Sequence, residues 1–158
     1  MALTKLDDTS ALIVIDLQKG IAALPTANPI SEIVDRCAQL ARAFRERALP
    51  VVLVNVSGRA PGRTDAGVPR FSPAADWSEL VPELEPRPGD YIVTKQRWGA
   101  FLGTALDDYL RGRGVTQVVL TGVATSAGVE STARSAYDLG YHVTLVVDAI
   151  HPQSCEAA

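Results

Sequence analysis

The chain has 158 residues, 47% hydrophobic and 21% charged, the make-up of an ordinary globular protein of one domain. Fifteen Lys and Arg against eighteen Asp and Glu leave a net charge of −3, which argues against a broad nucleic-acid footprint. No apolar run approaches the roughly 18 residues of a membrane span, Met1 to Ser10 shows no leader pattern, and two cysteines are too few for a disulfide scaffold, so a cytoplasmic protein is expected.

The first apolar run, Ala11 to Ile15 (ALIVI), ends at Asp16. It is rich in Ile and Val and does not alternate with polar residues, as in strands buried on both faces of a parallel sheet. Asn28-Pro29 reads as an N-cap followed by proline at the first helical position. Ile30, Ile33, Val34, Cys37, Leu40, Ala41 and Phe44 then mark one helical face, which should stop before Leu49-Pro50. Cys37 reads as a small core residue.

A second strand is predicted over Val51 to Val56, ending at Ser57-Gly58. Gly58 to Gly89 breaks the alternation: it holds six of the ten prolines and no strong periodicity, with at most a short helical turn between Trp77 and Leu84. A connection that long inside a compact domain is usually functional. Between Ser57 and Ala75 it holds Arg59, Arg63 and Arg70 against one acid, Asp65, and arginine forks suit carboxylates, although a solvated loop has the same composition.

Tyr91 to Thr94 is the third strand, ending at Lys95. Thr104 with Asp107 resembles a capping pair for a helix whose face is Ala105, Leu106, Tyr109 and Leu110, stopped by Gly112 or Gly114. Gln117 to Thr121 is the fourth strand. A helix from about Gly128 to Leu139 follows, with Glu130, Arg134 and Asp138 as an i,i+4 ladder and Gly140 as its C-cap. His142 to Val147 is the fifth strand, ending at Asp148. Strand–helix alternation of this kind predicts a three-layer αβα fold on an open parallel sheet with right-handed crossovers.

Ligands of open parallel sheets bind outside the carboxyl ends of the strands. That rule singles out Asp16, Ser57, Lys95, the Thr121 to Gly128 segment and Asp148. An acid and a lysine at neighbouring strand ends can pair and shift each other's proton affinity, which suits general acid–base work; a turn-capping Asp and a surface Lys are the plainer alternative. The small residues of Thr121 to Thr132 (TGVATSAGVEST) expose backbone N–H groups at a helix start, which welcome an oxyanion, or simply make a tight connection.

Three segments together, Leu12 to Gln18 (LIVIDLQ), Thr94 to Phe101 (TKQRWGAF) and Thr121 to Arg134 (TGVATSAGVESTAR), resemble the isochorismatase-like hydrolase superfamily in order and spacing. The resemblance runs on through Tyr137 to Tyr141 (YDLGY) and Val147 to Ala149, so it covers nearly the whole chain. It implies a parallel sheet of six strands with helices on both faces, and homo-oligomers, dimers or tetramers. Most members of that superfamily are cysteine hydrolases with an Asp-Lys-Cys triad acting on amides. By resemblance Asp16 is the acid/base and Lys95 the lysine, while the nucleophile position falls on Gly128. The peptide Val123–Ala124 is expected to be cis by the same resemblance.

Without a thiolate there is no thioacyl intermediate. Ser126 and Thr125 lie in the right loop, but match no nucleophile position and have no histidine nearby in sequence to activate them. Cys155 matches no nucleophile either. Members with glycine here include isochorismatases, which cleave a vinyl ether and need an acid rather than a nucleophile. The resemblance therefore implies a hydrolase of a small anionic metabolite with Asp16 as general acid. The alternatives are a C–N hydrolase using activated water, or a silent homologue that binds a metabolite or serves as a scaffold. Gln18, Trp98, Phe101, Ala124, Thr125, Ser126 and Arg59 are the candidate substrate-binding residues. No cofactor is implied. A metal site is not expected, because Asn55 to Arg59 (NVSGR) stands where the nicotinamidase branch has an Asp-x-His cluster, and His142 and His151 read as structural or exposed. Only His151 to Ala158 follow the fifth strand, so the single domain, residues 1–158, is expected to be one helix–strand unit short, with an open sheet edge that needs covering.

Overall fold

A computed structural model describes residues 5–24, 29–63, 65 and 73–151. Asn28, Arg70 and Cys155 fall outside these residues. The elements are β1 (Ser10–Ile15), α1 (Lys19–Ala22), α2 (Ile30–Glu46), β2 (Val51–Val56), β3 (Tyr91–Lys95), α3 (Leu106–Gly112), β4 (Gln117–Gly122), α4 (Glu130–Asp138) and β5 (His142–Ile150). A 3₁₀ turn at Pro82–Leu84 and a π turn at Thr125–Val129 complete the list.

The five strands form one parallel sheet in the order β3-β2-β1-β4-β5. Side-chain alternation along each strand feeds two cores. Ile13, Ile15, Val52, Val54, Val118 and Leu120 pack with Leu106, Leu110 and Ala136 of α3 and α4. Leu12, Val14, Val51, Leu53 and Val119 pack with Ile33, Val34, Cys37, Ala41 and Phe44 of α2 on the other face. This is the three-layer αβα arrangement that the strand–helix alternation predicts. Among the described residues, no helix is long and apolar enough to cross a membrane.

Several local expectations are corrected. The cap position of α2 is Pro29, in extended conformation, not the first helical residue; its fixed φ of −63° feeds the helix from outside. The Thr104–Asp107 capping pair does not form. Thr104 Oγ1 instead accepts from the Leu106 N–H (3.3 Å), and Asp107 is taken by the Tyr141 hydroxyl (2.6 Å) and by Arg111. Ala105 is exposed and does not belong to the apolar face of α3. The last helix begins at Glu130 rather than Gly128, because the π turn occupies the residues before it. Of the i,i+4 ladder, Arg134 pairs with Glu130 at 2.7 Å.

The edge strands also differ from expectation. β1, β2 and β4 are buried almost throughout, but β3 alternates with exposed residues, and β5 is exposed or half-buried from His142 to Asp148, with Val147 80% exposed and only Ala149 and Ile150 buried. A terminal strand has a neighbour on one side only, and no helix covers the whole of its outer face. β5 also loses its register with β4 between Leu120 and Gly122.

Candidate active site

The strand order reverses between β1 and β4, which leave Ile15 and Gly122 side by side. Such a switch point opens a crevice at the carboxyl ends of the strands. Gly122 makes it possible: its φ is +112°, and a Cβ there would lie 2.1 Å from the Ile15 carbonyl oxygen. The chain then turns through Val123–Ala124, a cis peptide bond, into the π turn. Asp16 begins the crevice with a φ of +53°, in the left-handed region that Asp tolerates better than most residues.

Lys95 closes β3, two strands away from β1. Its side chain passes over β2 and reaches Asp16, with Nζ 2.8 Å from Oδ2. The Arg97 carbonyl accepts a second bond from Nζ at 3.1 Å. Both side chains are at least nine-tenths buried. Burial pushes the Asp16 carboxyl up to about 6, against the opposing pull of the Lys95 ammonium and its hydrogen bond. Oδ1 of Asp16 is buried with no hydrogen-bond partner.

Gly128 lies beneath this carboxyl. A Cβ built on it would stand 3.1 Å from Asp16 Oδ2 and 2.9 Å from Ile15 Cγ2. Thr132 fastens the turn: its hydroxyl donates to the Gly128 carbonyl (2.6 Å) and accepts from the Ala100 N–H (3.1 Å). The Gly128 turn and the segment after Lys95 are thereby held together.

Asp16, Lys95 and Gly128 line one cleft of about 360 Å³. Of the predicted binding residues, Arg59, Trp98 and Ala124 also line it. The others do not. Gln18 is fully buried, and its amide is spent on the backbone: Nε2 donates to the Val56 and Trp77 carbonyls and Oε1 accepts from the Val56 N–H. Phe101 packs in the core beside Tyr141, ring centroids 6.0 Å apart. Thr125 donates its hydroxyl to the His151 carbonyl and lines a separate groove between α4 and β5. Ser126 is exposed and outside the cleft lining.

Four lining residues carried no clear sequence signal: Trp77, Arg97, Leu24 and Ile21. Trp77 is delivered by the long β2–β3 connection, whose length was the one hint of it. The Gly20 N–H donates to the Trp77 carbonyl, the Lys19 N–H to that of Glu79, and Asn55 Nδ2 to that of Ser78. Among the described residues, the charged groups of the cleft are Lys95, Arg59 and Arg97 against Asp16, a balance that attracts anions. Among the described residues, no group of three or more His, Cys, Asp or Glu is placed to hold a metal ion.

Comparison with known proteins places the chain in a family. Residues 10–156 match the isochorismatase domain. An isochorismatase family protein of Bacillus subtilis, YwoC, is 42% identical over 156 residues, covering 93% of this chain and 80% of its own length. The ureidoacrylate amidohydrolase RutB of Variovorax paradoxus is 32% identical over 173 residues, covering 90% of this chain and 68% of its own. The structure of an isochorismatase family protein from Burkholderia thailandensis superposes with a TM-score of 0.88 at 45% identity, over 97% of this chain and 84% of that one. Sequence, sheet order and strand-end geometry agree that this chain belongs to the isochorismatase family of hydrolases.

Proposed function

We propose that the protein hydrolyses a small anionic vinyl ether of the isochorismate type by general-acid catalysis from Asp16. The observation that carries this reading is a buried carboxyl lifted to about 6, in a cationic cleft with glycine at the nucleophile position of the resemblance. Asp16 in its protonated form delivers its proton to the methylene carbon of an enol-pyruvyl group. Water adds to the resulting oxocarbenium, and the hemiketal collapses to pyruvate and an alcohol. Lys95 stabilises the carboxylate left behind, which then takes a proton from the attacking water. Arg59 and Arg97 face the anionic groups of the substrate, and Trp98 and Ala124 bound its body. Protonation of an enol ether requires no metal or cofactor. The enzyme works in the cytoplasm as a homo-oligomer.

The experiment is pyruvate release from isochorismate by the wild type and by Asp16→Asn. Release by the wild type with a loss of about a thousandfold or more in the variant is expected for removal of the reacting acid. Ammonia release from an amide panel without pyruvate sinks the vinyl-ether reading. It would favour a C–N hydrolase that activates water, the reading to which the similarity to the Variovorax ureidoacrylate amidohydrolase lends weight. Neither product would favour a silent homologue.

A further inference from the structure

A second cationic cleft lies at the opposite end of the sheet, where β2 and β3 begin. It measures about 280 Å³ and is lined by Arg45 from the last turn of α2, Pro50, Arg87 and Gly89 before β3, Asp90, and Arg113 just past α3. Arg45 is its foundation. The side chain is 9% exposed, and two of its nitrogens are committed: Nε to Asp90 Oδ1 (3.0 Å), and Nη2 to Asp90 Oδ2 (2.6 Å) and the Leu84 carbonyl (3.2 Å). Its third nitrogen, Nη1, is buried without any acceptor.

The single carboxylate of the cleft is already fully engaged. Asp90 takes both bonds from Arg45 and a third from the Arg87 N–H at 2.8 Å. Two helix ends, those of α2 and α3, bring partial negative charge here, and Arg45 and Arg113 offset it. Among the described residues, what is left over is the Arg87 guanidinium, held by a long contact to Glu85 (3.8 Å), and the guanidinium of Arg113. Arg113 is preset over the Tyr109 ring, 5.3 Å from its centroid, and Tyr109 is itself stacked on Tyr91 at 3.8 Å. Guanidinium groups without a close carboxylate are open to a ligand bearing several acceptor oxygens.

We propose that this cleft binds a phosphate-class oxyanion, with Arg87 and Arg113 clamping it above the Arg45–Asp90 pair. Tetrahedral oxyanions present oxygens in several directions, which suits guanidinium forks converging from separate elements. The proposal does not depend on the reaction assigned above. The two clefts share no residue.

The test is calorimetric titration of the full chain with inorganic phosphate, chloride holding the ionic strength constant. Saturable one-site binding is expected, weakened about tenfold or more in the exposed double variant Arg87→Ala/Arg113→Ala and unchanged in Arg59→Ala, which removes a cation from the catalytic cleft instead. Circular dichroism of the variants confirms that they fold. No saturable binding, binding unchanged in the double variant, or binding lost in Arg59→Ala overturns the proposal. A second arm uses a simple phosphate monoester, phenyl phosphate. Tighter binding than phosphate with the same dependence on Arg87 and Arg113 sustains the proposal and assigns the anion to a phosphoryl group on a larger molecule. Weaker binding with that dependence sustains it for the free anion.

Discussion

Asp16 holds two demands in tension. Burial favours its neutral form and Lys95 favours its charged form; burial prevails, and the carboxyl rises to about 6 from an ordinary 3.8. For a reaction that needs the proton on Asp16, kcat/KM should be flat at low pH and fall tenfold per unit above about 6, a profile that stopped-flow or endpoint pyruvate assays would trace. Folding stability carries the same sign. The folded protein holds this proton more tightly than the unfolded chain, so the contribution of Asp16 is full below about pH 4 and is lost as pH rises through about 6, by about 3 kcal/mol. Urea titrations at several pH values should show this fall in the wild type and not in Asp16→Asn. Gly128 makes the complementary prediction. Any side chain there presses on Ile15 and on the carboxyl itself, so Gly128→Ala should cost about 1–3 kcal/mol in urea and reduce turnover sharply. Gly128→Cys meets the same obstruction; a thiol that does fit beside Lys95 should alkylate faster with iodoacetamide than a free cysteine.

At the scale of elements, the sequence exposed the acid and the lysine because strand ends in a parallel sheet point to one edge. It could not expose Trp77. That residue reaches the cleft through backbone bonds from Gly20 and the Gln18 amide, and non-local bonds of this kind leave no periodic trace. Gln18 and Phe101 illustrate the converse: both stand beside catalytic positions in sequence, yet one braces the β2 end and the other enters the core. The strands themselves were legible from their Val- and Ile-rich runs. Which of them would lie at an edge was not, since His142 to Ile150 is as apolar as its neighbour Gln117 to Gly122, and Tyr91 to Lys95 still carries a run of three apolar residues. The brace under Trp77 can be tested at Gly20, where a Cβ would fall 1.8 Å from the indole Cδ1. Gly20→Ala should displace the ring, change the tryptophan emission of a Trp98→Phe background, and raise KM by about tenfold, or ~1.4 kcal/mol, with a smaller effect on kcat.

For the molecule as a whole, the two ends of the sheet carry different sites: carboxyl ends hold the buried Asp16–Lys95 pair, and amino ends hold the arginine cleft. β5 forms one lateral edge and exposes Leu145 and Val147 on its flank. Unpaired edges with apolar side chains invite association, so Val147→Lys should lower concentration-dependent light scattering without changing the urea midpoint by more than about 0.5 kcal/mol. The opposite edge matters for a different reason. Lys95 belongs to β3, the outermost strand on that side, while its partner sits on the most central one. Under the proposed mechanism, turnover is therefore hostage to the strand that can detach first. Mild urea should abolish turnover at a concentration where far-UV circular dichroism is still native, because fraying of one border strand withdraws the lysine and leaves the rest of the sheet standing. The enzyme would then report its own loosening as lost activity before any other probe registers it.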